Sequence, residues 1–178
     1  MSPIFTPDFG SVDANIPMFE GRAQVQITKR TPFHKSGKVV DGNVKTNAGV
    51  QFNLEIVGFY DDEGELDTAK KGKTVSPYKV WLHTEGGWGF AKPFMMAACG
   101  YHRKDEAKAN EKLFQKNDWD MDGELNADAE TFSLGKGWDL PVGNLVDVSL
   151  KISRTQSTSN PDEVYENQEF GGWTPVEA

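Results

Sequence analysis

The stretch Ser76-Pro77-Tyr78-Lys79-Val80-Trp81-Leu82-His83-Thr84 alternates in the way that predicts a β-strand with one face on a core. Alternate side chains point to opposite faces of a strand, which gives an apolar row of Tyr78, Val80 and Leu82 and an outer row of Lys79, Trp81 and His83. A cation and two rings suit a single nucleic-acid strand, because the cation attracts phosphate and the rings stack on bases. The alternative is that the preceding loop covers Trp81 and that water surrounds Lys79. The rest of the sequence is needed to decide between these two interpretations of the outer row.

The chain is acidic overall, with a formal net charge of −8 over 178 residues, and 37% of its residues are apolar. These values suit one domain with long loops. The net charge argues against a protein whose whole surface binds nucleic acid, but it is compatible with a local basic groove, because the field at the site governs the contact. The single cysteine, Cys99, excludes an intramolecular disulfide and suits a reducing compartment. No stretch is apolar enough to span a bilayer and the N-terminus does not resemble a signal peptide, so a cytoplasmic location is predicted.

Hydrophobic periodicity predicts five strands, with one apolar helix between the third and the fourth. We expect the strands at residues 21–31, 49–60, 76–84, 145–154 and 164–173, and the helix at residues 90–101, ended by Gly100. Pro32 is expected to stop the first strand, which makes residues 33–47 a loop. Residues 85–89 are expected to form a flexible turn that presents Trp88. A second, solvent-facing helix is predicted over residues 104–116.

The order of three strands, a helix and two strands is that of the OB-fold, a five-stranded Greek-key barrel. That fold commonly carries single-stranded nucleic acid on strands two and three and on the loop after strand one. We therefore predict a mainly β protein with one OB-fold-like domain at residues 20–175 and a helical, acidic insert at about 104–138. Residues 1–19 are predicted to be a flexible N-terminal arm, and residues 176–178 a short C-terminal end.

The basic residues concentrate around the end of the first strand and the loop that follows it. Together with the outer row of the third strand and the fourth strand, they define the candidate nucleic-acid-binding residues, which are Lys29, Arg30, Phe33, Lys35, Lys38, Lys79, Trp81, His83, Trp88, Lys151 and Arg154. The rings are expected to stack on bases, and the cations to neutralise phosphates.

Six short motifs occur in a distinctive order along the chain. They are His34-Lys35-Ser36-Gly37-Lys38, residues 50–58, Val80-Trp81-Leu82, residues 94–100, residues 140–148 and residues 170–175. In this order they resemble a phage-encoded family of small single-stranded-DNA-binding proteins, over about residues 20–175. The resemblance implies coating of single-stranded DNA without sequence preference, during phage replication or recombination in the host cytoplasm, with replication or recombination enzymes as partners.

Two features depart from the pattern of that family. The insert at residues 104–138 is longer than expected. The C-terminus lacks the acidic tail with which many single-strand binders recruit partner enzymes, since only Glu177 is acidic among the last five residues. Recruitment of enzymes through a tail is therefore in doubt, and the oligomeric state is left open, with a homo-oligomer among the options.

A stretch that begins at Asp118 nearly matches an EF-hand calcium loop. Asp118, Asp120 and Asp122 occupy the first, third and fifth positions, and Gly123 the sixth. The twelfth position, which needs a bidentate glutamate, is Ala129. The simpler interpretation is a solvated acidic insert, and a calcium-binding module through residues 118–130 remains an alternative.

No catalytic constellation is evident, so no enzyme and no cofactor are predicted. The three histidines lie in neither metal nor triad spacing, and Cys99 falls on the apolar helix, where a buried structural thiol is expected. Gly86-Gly87-Trp88-Gly89 lacks the Lys-Ser/Thr ending of a phosphate loop. Besides nucleic-acid binding, the pattern leaves open a structural or assembly β-barrel protein of a virion.

Overall fold

A computed structural model describes residues 17–40, 43–114, 123–126 and 131–177. Its strands are β1 Gly21–Val40, β2 Asn43–Tyr60, β3 Leu66–Asp67, β4 Thr74–Trp81, β5 Gly123–Asn126, β6 Thr131–Leu134, β7 Leu145–Gln156 and β8 Val164–Pro175. Its helices are α1 Glu85–Ala98 and α2 Glu106–Ala109, with short 3-10 turns at Arg103–Asp105 and Lys136–Asp139 and a π turn at Asn110–Phe114. The mainly β class is confirmed.

Six of these strands form one antiparallel sheet. The order is β8–β7–β1–β2, and both β3 and β4 pair with the far edge of β2. β5 and β6 make a separate hairpin within the insert. α1 joins β4 to the later strands, so it lies between the third and the fourth long strands, as predicted. The sheet is not closed, because no ladder joins β4 to β8 among the described strands.

The core lies on one face of the sheet, under α1. Alternation predicts an inward row on each strand, and most members of these rows are buried: Ala23, Val25, Ile27, Val50, Phe52, Leu54, Ile56, Tyr78, Val80, Val146, Val148 and Leu150. Leu82 and Ile152, each the last member of its row, are only half-buried. Phe94 of α1 packs on Phe52 with ring centroids 4.7 Å apart. Trp138, at the end of the insert, is fully buried and lies 6.4 Å from Phe52 between ring centroids. The last residue of the insert is therefore part of the core. The glycines on either side of Trp138 had suggested a turn and gave no indication of this burial.

The predicted loop after the first strand is wrong, because β1 continues to Val40, which pairs with Asn43 of β2. β7 pairs with β1 only over residues 21–26, so Pro32 lies where β1 has a strand on one side only. A proline can sit in such an edge, since its missing N–H need not belong to a ladder. Irregular steps at residues 27–29 and 36–39 also let the strand bend. The basic segment is therefore a two-stranded ribbon.

The predicted flexible turn before the helix is also wrong, because α1 begins at Glu85. Thr84 caps it, and its hydroxyl accepts a hydrogen bond from the Gly87 N–H at 3.2 Å. Pro93 consequently lies in the helix interior instead of its first turn. The end at Gly100 is confirmed: Gly100 has φ +88°, and the Tyr101 N–H reaches the Met96 carbonyl, as in a Schellman cap.

The start of the insert contacts α1, and Phe19 contacts the main sheet. The predicted second helix is an irregular helical run at residues 103–114, tied to α1 by an ion pair between Lys92 and Glu106 at 2.6 Å. Phe19 is buried, and its ring lies 5.9 Å from that of Phe59. The calcium candidates Asp118, Asp120 and Asp122 lie outside the described residues. Across the described chain, no helix is both long and apolar enough to cross a membrane.

Candidate nucleic-acid interface

Three rings meet on the outer face of β1, β2 and β4. The rings of Phe33 and Trp81 are 4.8 Å apart between centroids, at an interplanar angle of 74°. Trp81 meets His83 edge-on at 5.3 Å. Trp81 is 37% exposed to solvent, so the loop before β4 does not bury it. We call Phe33, Lys79, Trp81 and His83 the ring cluster.

Gly49 is the reason that the rings of two strands can touch across a third. It pairs with Phe33 on β1 and with Trp81 on β4, so it lies between them on β2. A Cβ atom there would come within 2.8 Å of the Phe33 Cζ and 2.3 Å of the Val80 carbonyl oxygen. Only glycine leaves this space open. Sequence reasoning missed this position, although a glycine opposite two aromatic residues in paired strands was the available signal.

Two exposed cations lie on the same outer face as the rings, Lys79 beside Phe33 and Lys29 farther along β1. The Lys79 Nζ lies 5.9 Å from the centroid of Phe33, within reach of a cation–π contact. Lys29 is two residues before Thr31, which shares a cross-strand row with Gln51 and Lys79. Within the described chain, neither Lys79 nor Lys29 has an acidic partner within ion-pair distance. Both ammonium groups are thus available to an external anion.

Two further candidate cations, which were predicted in the loop after the first strand, lie on β1 further along the ribbon. Lys35 pairs with Asn47 of β2. Lys38 falls within the irregular step between Ser36 and Val39. The ribbon therefore extends the basic segment beyond the ring cluster instead of leaving it as a loop.

Trp88 and Arg30 lie away from the ring cluster. The Trp88 Nε1 donates to the Leu82 carbonyl at 2.9 Å, and its ring packs on Trp138 at 5.6 Å. Arg30 falls in the inward register, opposite Phe52, and forms a two-pronged ion pair with Asp139 at 2.7 and 3.3 Å. This guanidinium holds the pKa of Asp139 below its usual value. Both residues fasten the insert and α1 to the sheet.

Lys151 and Arg154 lie at the other end of the sheet. Gly21, the first residue of β1, pairs with Leu150, so β7 and β8 run on without β1 from Lys151. The Arg154 Nε contacts the Glu166 Oε1 at 2.8 Å, which raises the pKa of the guanidinium. Lys151 is directly opposite Glu169 in the ladder. The structure does not bring these two cations to the ring cluster.

The groups with redox or metal chemistry form no site in the described chain. Burial raises the pKa of the Cys99 thiol to about 11, so it is protonated at neutral pH. No group of three or more His, Cys, Asp or Glu side chains among the described residues is placed to hold a metal ion.

Comparisons with known proteins give no relative to argue from: no protein-family model matches the chain, and no curated protein or solved structure matches it significantly.

Proposed function

We propose that this protein binds single-stranded DNA without sequence preference and supports phage DNA replication or recombination in the host cytoplasm. The observation that carries the proposal is the ring cluster, in which the exposed rings of Trp81 and His83 and the half-buried ring of Phe33 lie together with Lys79, a cation without an acidic partner in the described chain. Stacked bases and a neutralised phosphate are what such a surface offers.

The arrangement of the long strands supports an OB-fold-like assignment. In chain order the five long strands are β1, β2, β4, β7 and β8, and their order across the sheet is fifth, fourth, first, second and third. The OB-fold is a five-stranded, partly open Greek-key barrel that binds oligonucleotides on its second and third strands. The ring cluster lies on β1 and on the third long strand, β4, and the second long strand, β2, passes between them at Gly49.

Base stacking and phosphate contacts are the two interactions expected to stabilise the complex with DNA. Stacking a base on an exposed ring contributes about 1–3 kcal/mol, and it tolerates any base because every base has a π face. Each phosphate contact adds a salt-dependent term, with a slope of about −0.7 per contact on single strands. Binding through Phe33, Trp81 and the neighbouring lysines is thus expected to be largely indifferent to sequence and to weaken with salt.

The test is a tryptophan-fluorescence titration with a poly-thymidine oligonucleotide at low and moderate salt. We expect quenching that weakens as salt rises. Trp81→Phe is the matched control, since it keeps a stacking ring but removes the reporter; it should bind with similar affinity and with reduced quenching. If the parent neither quenches nor forms a complex even at low salt, the proposal fails. Self-assembly without DNA binding would then favour a virion structural protein.

A further inference from the structure

β4 and β8 approach each other without pairing, and a groove lies between them. Side chains bridge its floor: the ring of Tyr78 lies 5.3 Å from that of Phe170 and 4.8 Å from that of Trp173. The groove has a volume of about 470 Å³ and continues along the N-terminal part of α1. It is large enough to hold a nucleobase.

The groove is continuous with the ring cluster. Lys79 and Trp81 line it on the β4 side, and both also belong to the ring cluster. A strand stacked on Trp81 therefore has the groove as its immediate neighbour. This continuity favours a base over an extended peptide, the other occupant that two unpaired strand edges could take.

The opposite wall combines apolar rings with one carboxylate. Phe90 is 71% exposed, the most exposed of the large apolar side chains described, and it lines the groove together with Phe170. Glu169 also lines the groove, and no cation lies within ion-pair distance of it in the described chain. An unpaired carboxylate repels phosphate but accepts hydrogen bonds from the exocyclic amino groups of bases.

We propose that the groove holds one base of the bound strand, and that Glu169 makes it favour bases with an exocyclic amino group, such as cytosine, over thymine. This inference rests on the proposed function. The base would lie against Phe90 and Phe170 and present its amino edge to the Glu169 carboxylate. The phosphate chain would stay on the side of Lys79 and Lys29, away from the negative charge. The stacking and phosphate contacts of the ring cluster still accept any sequence, and this single contact adds to them a modest preference for cytosine-rich strands.

The experiment compares oligo-deoxycytidine with oligo-deoxythymidine of one length, at slightly alkaline pH so that cytosine strands stay single. A single added hydrogen bond predicts that the parent binds the cytosine strand roughly two- to tenfold more tightly. Glu169→Gln should reduce that ratio toward one. Glu166→Gln is the matched control, since it removes the same charge from the same strand at a residue that pairs with Arg154 and does not line the groove. It should leave the ratio unchanged.

Phe90→Ala tests whether a base enters the groove at all. It should weaken binding of both strands several-fold, and its melting temperature shows whether it folds. The inference is overturned if the parent binds both strands equally, if Glu169→Gln keeps the parent ratio, or if folded Phe90→Ala binds like the parent. Each of these results leaves single-strand binding standing. Absence of binding to either strand would instead remove the proposed function.

Discussion

Two β-ribbons extend from opposite ends of β1. They differ in net charge and in the acidic residues that lie near their cations. The first ribbon comprises residues 29–40 of β1 and 43–53 of β2; the second comprises residues 151–156 of β7 and 164–169 of β8. Residues 29–53 hold five basic residues (lysine or arginine) and one acidic residue. Residues 151–169 hold two basic residues and four acidic residues. Similar backbone architecture therefore carries opposite charge.

The difference lies in the acidic residues that surround the cations of each ribbon. In the second ribbon Arg154 forms an ion pair with Glu166 at 2.8 Å, and Lys151 has Glu169 as its cross-strand neighbour, although the two side chains are not within ion-pair distance. In the first ribbon Lys79 of the adjoining β4 lies over the Phe33 ring and has no acidic partner in the described chain. The first ribbon and the adjoining β4 together place Lys79, which has no acidic partner in the described chain, beside the rings of Phe33 and Trp81, so the phosphates of a DNA strand are expected on that side.

The largest expected effect on this comparison comes from Trp81→Ala. Loss of one stacking platform should weaken binding of poly-thymidine by about 1–3 kcal/mol, roughly 5- to 150-fold, with little change in salt slope. Affinity measured by anisotropy with a labelled oligonucleotide checks this. Trp88→Ala is the comparison variant: its indole packs on Trp138, so it should lower the melting temperature and largely spare affinity. An equal loss of affinity in both folded variants would break the distinction.

A smaller effect is expected from removing one cation from each side of the comparison. Lys79→Ala should make the slope of log affinity against log salt shallower by about 0.7, since one phosphate contact is lost. Arg154→Ala should leave the slope unchanged, because Glu166 already neutralises the guanidinium. Titrations at several salt concentrations give both slopes. A slope that changes only in Arg154→Ala would move the interface to the second ribbon.

Arg30→Gln tests whether every cation of the first ribbon acts on DNA. Its guanidinium is paired with Asp139, so the variant should lose no more than about 1 kcal/mol of stability and keep the parent salt slope. Chemical denaturation and the same titrations measure the two quantities. A shallower slope with unchanged stability would show that Arg30 leaves Asp139 to bind phosphate.

The smallest effect concerns the central strands that connect the two ribbons. Burial raises the pKa of Asp147, which accepts a hydrogen bond from the Tyr60 hydroxyl at 2.8 Å. A raised pKa in the folded state means that the ionised carboxylate opposes folding, so stability falls as pH rises through that pKa. Asp147→Asn keeps an acceptor for Tyr60 and should be slightly more stable than the parent at neutral pH. Melting curves should converge below the ordinary pKa of 3.8; a variant less stable at neutral pH would contradict this.

Alternation in the sequence was enough to predict where the five long strands lie and which of their side chains are mostly buried. Val50, Phe52, Leu54 and Ile56 all lie where period-two patterning puts them, because one face of each strand must be buried. The outer row of β4 was predicted in the same way, and Lys79 is exposed with Trp81 beside it. The grouping of Trp81 with Phe33 was not predicted, since it depends on the register of three strands around Gly49.

The errors came where tertiary context overrides a local signal. Pro32 usually ends a strand, but it is tolerated where β1 has one neighbour. The glycines at residues 86–89 look flexible, yet Gly87 lets α1 begin against the Trp81 carbonyl, which a Cβ would meet at 1.6 Å. Asp147 falls in an outward position but is buried, with the Tyr60 hydroxyl bonded to it. Each of these three features depends on how separate elements pair or pack in the fold, so the local sequence does not predict it.

The most direct measurement is photocrosslinking of an iodinated thymidine oligonucleotide to the protein, followed by peptide mapping of the adducts. We predict adducts at Phe33, Trp81 or His83, in the ring cluster, and fewer of them as salt is raised. Adducts confined to residues 151–169, or a stable complex with none in the ring cluster, would contradict the assignment of the strand to the outer face of β1, β2 and β4.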